Sequence, residues 1–191
     1  MKVFMIFFAA ILVNNFVLQK FLGICPFLGV TKKIDTAAGM TMAVIFVMML
    51  ASIITWLLNG LLLALGIGFL TTIVFILVIA VLVQFVEIFL KKSSPALYQA
   101  LGIYLPLITT NCAILGLALI NVQSHYSLLE TVFNSLGAGV GYGMSMILFA
   151  GIREQMDLAE IPEPFKGFSG ALVTAGLMSM AFMGFSGMIK L

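Results

Sequence analysis

Long apolar runs, separated by short polar or glycine-containing stretches, set the pattern of this chain, and nearly all of its charged residues fall between the runs. A bilayer core of about 30 Å needs roughly 20 helical residues per crossing. Six segments meet that need: about Val3–Leu22, Ala37–Leu58, Leu70–Leu90, Leu97–Ile120, Leu128–Ile152 and Gly170–Ile189. The runs are continuous and lack the alternating polarity of barrel strands, so the pattern predicts helices. Met40 to Leu90 is almost unbroken, with Asn59-Gly60 and the Gly66/Gly68 pair as the turn signals between the second and third segments.

Composition agrees. Of 191 residues, 63% are hydrophobic and 8% charged, and the mean hydropathy is +1.25. A soluble domain carries about 25% charged residues. The expected fold is therefore all-α and integral to the membrane, a single domain over residues 1–191. A net charge of +2 without a long basic run argues against a nucleic-acid partner. No cleavable signal peptide is expected, because the first run follows a single Lys2, exceeds signal length and lacks a clean small-residue cleavage site.

Charge placement orients the spans. Lys32 and Lys33 lie in the first loop, Lys91 and Lys92 in the third, and Arg153 and Lys166 in the fifth; these are six of the nine basic residues. The second loop has none, and the fourth has His125 and Glu130. The positive-inside rule then assigns loops one, three and five to the cytoplasm and both termini to the outer side. Lys2 and Lys190 lie on the other side and can snorkel to the interface.

The chain has two cysteines, and each opens a Cys-x-x-Leu-Gly phrase: Cys25-Pro26-Phe27-Leu28-Gly29 and Cys112-Ala113-Ile114-Leu115-Gly116. Their positions, in the continuation of the first span past Leu22 and in the fourth span, require the two halves to enter the membrane from opposite faces. This is the signature of an inverted repeat, here of about residues 1–92 and 93–191, three helices each. Gly23, Pro26 and Gly29 surround Cys25, while Gly102, Pro106 and Gly116 flank Cys112. Proline removes a backbone donor and glycine relaxes the helix, so the first and fourth helices are expected to be broken. The bland alternative is that Gly and Pro are simply frequent in membrane helices.

Asn14 and Asn15 lie inside the first span, and Thr109, Thr110 and Asn111 precede Cys112. Amides in hydrocarbon need partners. Asn14, Asn15, Thr110 and Asn111 are candidates to cap a broken helix or to donate to sulfur ligands, against the alternative of plain interhelical hydrogen bonds. Glu130 lies at the very start of the fifth span, and Glu87 is the one acid deep inside a span. Its spacing to Lys91 favours a surface pair over an ion pathway. Gly137, Gly139, Gly141 and Gly143 form overlapping Gly-x-x-x-Gly pairs, which predict close helix packing. The methionines and phenylalanines read as packing or lipid-facing residues. His125 has no second histidine for a metal site, and Arg153 through Lys166, a charged loop with Pro162 and Pro164, reads as a cytoplasmic surface connection or docking site.

Three uses of the cysteines remain open: free apolar thiols, a disulfide between the repeats, or metal ligation. An iron–sulfur cluster normally takes four cysteines, so two would have to come from a second chain. Zinc fits the same count but carries no electrons.

Val13-Asn14-Asn15-Phe16, Phe21-Leu22-Gly23-Ile24-Cys25-Pro26-Phe27, Leu105-Pro106-Leu107-Ile108-Thr109-Thr110-Asn111-Cys112-Ala113, Thr174-Ala175-Gly176-Leu177-Met178 and Phe185-Ser186-Gly187 together carry a resemblance. Over nearly its whole length the chain resembles the A-type subunit of the Rnf electron-transport complexes, bacterial inner-membrane ferredoxin:NAD oxidoreductases that couple electron transfer to sodium or proton translocation. The E-type subunit of the sodium-pumping NADH:quinone reductase is similar to it and is the nearest alternative; the Asn14-Asn15 pair and the Cys-Pro-Phe-Leu-Gly wording favour Rnf. The resemblance implies that Cys25 and Cys112, on half-helices whose dipoles point at buried charge, supply half of a mid-membrane [2Fe–2S] cluster. The homologous E-type Rnf subunit, in opposite orientation, would supply two further cysteines, while the B-, C-, D- and G-type subunits would carry flavins and other clusters. A small inverted-repeat secondary transporter is the rival of a different class, and a scaffold without cofactor the third.

Overall fold

In the computed structural model, residues 2–93, 105–160 and 162–185 are described. Among them there are helices, turns and no strand. The chain runs as α1 (Lys2–Phe8, continued by a π-helical turn Ala9–Val13), α2 (Ile24–Val30), α3 (Ile34–Ala64), α4 (Thr71–Ser93), α5 (Leu105–Thr109), α6 (Cys112–Gln123), α7 (Leu128–Leu158) and α8 (Phe168–Met183). Among the described residues, four helical stretches are long and apolar enough to cross a membrane: Ile34–Ala64, Gly68–Phe89, Pro106–Gln123 and Leu128–Leu158; α8 is a shorter apolar helix.

Local chemistry fixes several boundaries. Ser127 and Glu130 form a capping box at the start of α7, with Ser127 N–H donating to Glu130 Oε2 at 3.0 Å. α7 then runs past the expected Ile152 as far as Leu158, so Arg153, Glu154 and Asp157 belong to a helix and not to the expected surface loop. α3 likewise runs past Leu58 and Gly60 to Ala64, and the chain turns at Gly66, where φ is +71°. Of the two turn signals, the Gly66/Gly68 pair is the real one. At 31 residues, α3 and α7 are each about 46 Å long at 1.5 Å per residue. They outreach the hydrocarbon layer at their ends.

The first span breaks earlier than its prolines and glycines suggested. Helical structure stops at Val13, and residues 14–23 are irregular before α2 begins. Pro26 and Gly29 lie inside α2. Pro26 sits in the first turn, where its missing N–H costs nothing. The fourth span breaks at Thr110-Asn111, between α5 and α6, with Pro106 in the first turn of α5 and Gly116 within α6. Gly102, and the beginning of the expected fourth span from Leu97, lie outside the described residues, as do Ser186 to the end of the sixth span and Lys190.

An antiparallel pair, α3 and α7, forms the centre. Gly139 of α7 lies against Ile45 and Gly143 against Thr41. Gly137 and Gly141 instead lie against the backbone of Phe7 and Ile11, so α1 runs parallel to α7. The two overlapping glycine pairs thus serve two neighbours. Buried residues of α7 include Gly137, Ala138, Gly139, Gly141, Gly143 and Ser145. Small residues of this kind let helices approach where lipid provides no hydrophobic drive. α6 runs toward the end at which α3 finishes: Ala118 packs with Leu62 and Phe75, and Trp56 Nε1 donates to Tyr126 O at 2.9 Å. α4 presents Ile73, Ile76, Leu77, Val81, Phe85 and Phe89 outward, as a lipid-facing helix does.

The basic loops meet at one end. Arg153 Nη1 donates to Leu28 O at 2.7 Å. A groove lined by Ala38, Met42, Val86 and Phe89 joins the start of α3 to the end of α4, and Arg153 and Lys166 line one crevice. Trp56, Asn59, His125 and Tyr126 share a pocket at the opposite end.

Candidate functional site around two cysteines

Asn15 builds the first break. Its Oδ1 accepts from Val17 N–H at 3.1 Å and Leu18 N–H at 3.2 Å, and its Nδ2 donates to Gly141 O at 3.0 Å and Ser145 Oγ at 2.8 Å. The side chain is fully buried. Two backbone donors freed by the break are thereby satisfied and the loop is tied to the middle of α7. Ser179 Oγ of α8 donates to Leu18 O at 2.5 Å, and Gln19 Nε2 donates to Phe182 O at 3.3 Å. The loop leaves through two left-handed residues, Phe21 (φ +54°) and Gly23 (φ +80°), and α2 starts with Cys25 in its first turn.

Asn111 builds the second break. It is the N-cap of α6, its Oδ1 accepting from Ala113 N–H at 3.0 Å, and Cys112 is the first helical residue. The two breaks meet: Gly23 N–H donates to Cys112 Sγ at 2.9 Å. Gly23 is boxed in, since an added Cβ would lie 3.0 Å from the Tyr142 ring, 3.1 Å from Asn111 Oδ1 and 3.2 Å from Ala113 Cβ. Positive φ and close walls both require glycine here.

Both thiols are free and exposed at the chain's surface, while α2 is hydrogen-bonded to α7 through Arg153 and α6 through Asn134. Among the described residues no group of three or more His, Cys, Asp or Glu could hold a metal ion. The donor set is therefore two soft sulfurs facing off the protein, one already receiving a backbone N–H. Such N–H···S bonds are the kind that tune iron–sulfur centres, and two thiolates fit half of a four-cysteine cluster.

A model of the family described as "Rnf-Nqr subunit, membrane protein" matches residues 3–189. The chain belongs to the Rnf-Nqr family of membrane subunits. It is 59% identical over 189 residues, 98% of each chain, to the A-type subunit of the Na(+)-translocating ferredoxin:NAD(+) oxidoreductase complex of Acetobacterium woodii. It is 58% identical to the A-type subunit of the ion-translocating oxidoreductase complex of Sodalis glossinidius, covering 97% of each chain. The corresponding protein of Photorhabdus laumondii is 56% identical, over 98% of this chain and 97% of that one.

In this Rnf-Nqr family member the expected polar residues divide. Asn15 spends its hydrogen bonds on backbone and Ser145, and Asn111 caps α6 beside Cys112. Asn14 is exposed at the end of the π-helical turn. Thr110 is exposed, and its hydroxyl donates to Pro106 O at 3.0 Å. Glu87 is half-buried on α4, one turn before Lys91, and His125 is exposed in a turn at the opposite end from the basic loops. Two participants are not evident from the sequence. Gly23 is visible there only as a helix breaker, although a glycine two residues before a cysteine in a broken span is a signal for close backbone approach. Tyr142, inside a glycine run, walls the site, its buried ring 3.0 Å from where a Cβ on Gly23 would lie.

Proposed function

We propose that this chain is the A-type membrane subunit of an ion-translocating ferredoxin:NAD+ oxidoreductase. In this reading Cys25 and Cys112 are two of the four ligands of an intramembrane [2Fe–2S] cluster shared with the homologous E-type subunit. The relatives in Acetobacterium woodii and Sodalis glossinidius support the complex. The observation that carries the cluster is the meeting of two interrupted segments, each opening a helix with an outward-facing cysteine, through the Gly23–Cys112 hydrogen bond. A bound cluster would supply one-electron exchange inside the apolar layer, dividing about 30 Å into two steps of roughly 15 Å.

The residues of the chain then have distinct tasks. Cys25 and Cys112 offer sulfur; Gly23 N–H orients one of them; Asn111 and Asn15 hold the two breaks open. The chain is not catalytic alone. The B-, C-, D- and G-type subunits carry the flavins, further clusters and nucleotide chemistry, and Na+ or H+ is the coupled ion.

The reading places six spans in a bacterial inner membrane, with the basic end cytoplasmic and the N-terminus outside. Supporting it, α1 runs parallel to α7 and α6 parallel to α3 around the antiparallel α3–α7 pair, as an inverted repeat of three-helix halves requires. The test is iron and acid-labile sulfide per complex, purified anaerobically with its partner membrane subunits. Both should fall by one cluster's worth in Cys25→Ser and in Cys112→Ser. Unchanged iron, with both wild-type thiols freely alkylated, would discard the cluster.

A further inference from the structure

The two helices that carry the thiols are held in different ways. α6 has 12 residues and is capped beside its cysteine by Asn111. α2 has 7 residues, and its N-cap, Gly23, provides no side-chain hydrogen bond. So short a helix cannot maintain itself, and its direction must come from tertiary contacts.

α2 packs on α3, α5 and α8, and at its far end one turn of α7 adds polar and aromatic contacts. Arg153 Nη1 donates to Leu28 O at 2.7 Å and to Thr31 Oγ1 at 3.1 Å. Thr31 Oγ1 in turn donates to Phe27 O at 2.6 Å. The Phe27 ring stacks on Phe149 at 4.3 Å between centroids and 14° between planes, and the Arg153 guanidinium lies 5.7 Å from the centroid of the same Phe149 ring. Glu154 Oε1 accepts from Ile34 N–H at 3.0 Å, tying the start of α3 to the same turn. Leu28 O is among the last four carbonyls of α2, which find no donor within the helix. A guanidinium there satisfies the carbonyl and suits the negative end of the helix. Phe27 and Leu28 follow Cys25 within one turn, so whatever fixes them fixes the direction of its sulfur.

We propose that Arg153 is a positioning residue for Cys25: from the basic end of α7 it clamps the half-helix whose first turn presents that thiol. The consequence for a cluster rests on the ligand reading under Proposed function, whereas the clamp does not. Lysine cannot replace it fully, because an ammonium lacks the planar face that lies over the Phe149 ring while Nη1 donates to both acceptors.

The experiment compares Arg153→Gln, Arg153→Lys, Phe149→Leu and Asn111→Ala in the whole purified complex. After iron is removed anaerobically with a chelator, N-ethylmaleimide labelling rates are read at each cysteine by mass spectrometry. Loss of Arg153 or of the Phe149 stack should change the Cys25 rate by about fivefold, the shift one buried hydrogen bond implies, and leave Cys112 within about twofold. Arg153→Lys should fall between wild type and Arg153→Gln, and Asn111→Ala should move Cys112 and spare Cys25. If the Arg153 variants move both cysteines equally, or neither, the proposal fails; Phe149→Leu keeps it testable should Arg153→Gln not assemble. EPR line shapes of the untreated complexes give the second readout, with a Cys25-specific change expected in Arg153→Lys. A wild type without iron would remove the cluster reading and still leave the labelling pattern to decide the clamp.

Discussion

The backbone N–H of Gly23 donates to the sulfur of Cys112 at 2.9 Å, across 89 residues of chain. One segment's helix break is thus stitched to the other segment's cysteine, two residues before its own. Gly23 holds φ +80° with side-chain atoms at 3.0–3.2 Å from where a Cβ would be. Gly23→Ala should therefore cost about 1 kcal/mol from the left-handed backbone alone, and more from displacing Asn111 or Tyr142. The expected outcome is an assembled complex with reduced iron content and an altered EPR spectrum; unchanged iron and spectrum would show that the contact is incidental.

Asn15 is expected to matter for folding ahead of redox properties. Asn15→Leu keeps the volume but strands Val17 and Leu18 N–H in an apolar interior and releases Gly141 O and Ser145. Each stranded donor costs about 1–3 kcal/mol. A lower thermal unfolding midpoint of the purified complex is expected, with the same EPR signal in whatever fraction assembles.

Helix contact along α7 is testable by size. A side chain at Gly143 would run into Thr41, and one at Gly137 would lie 2.7 Å from Phe7 O, whereas Gly176 on α8 has nothing within 4 Å. Gly143→Val and Gly137→Val should lower the yield of assembled complex sharply, and Gly176→Ala should not, as measured by quantitative membrane immunoblot and size-exclusion chromatography.

Much of this is legible in the chain. Continuous apolar runs mark the helices, and the repeated Cys-x-x-Leu-Gly phrase leads to both breaks. The places of those breaks are less legible. Pro26 and Gly29 look like helix breakers, yet they lie inside α2 because proline is harmless in a first turn. The break belongs to Asn14 and Asn15, and the bonds of Asn15 reach Gly141 and Ser145, more than a hundred residues away. Arg153 looks like a loop charge because polarity rises there, but α7 carries it on as a helix past the apolar layer. Long-range partners of this kind leave no local mark in sequence.

Orientation has its own test. Single cysteines introduced at Lys166 and at His125, in a background where native thiols are accounted for, should label from opposite sides of sealed membranes, Lys166 from the cytoplasm and His125 from outside. Labelling of both from one side would overturn the six-span arrangement.

The most direct measurement is an EPR-monitored redox titration of the anaerobic complex containing this chain and its membrane partner. One reduced [2Fe–2S] signal is expected in wild type that disappears in both Cys25→Ser and Cys112→Ser, while the signals of the other clusters persist. A full set of signals surviving in both variants would contradict the shared intramembrane cluster.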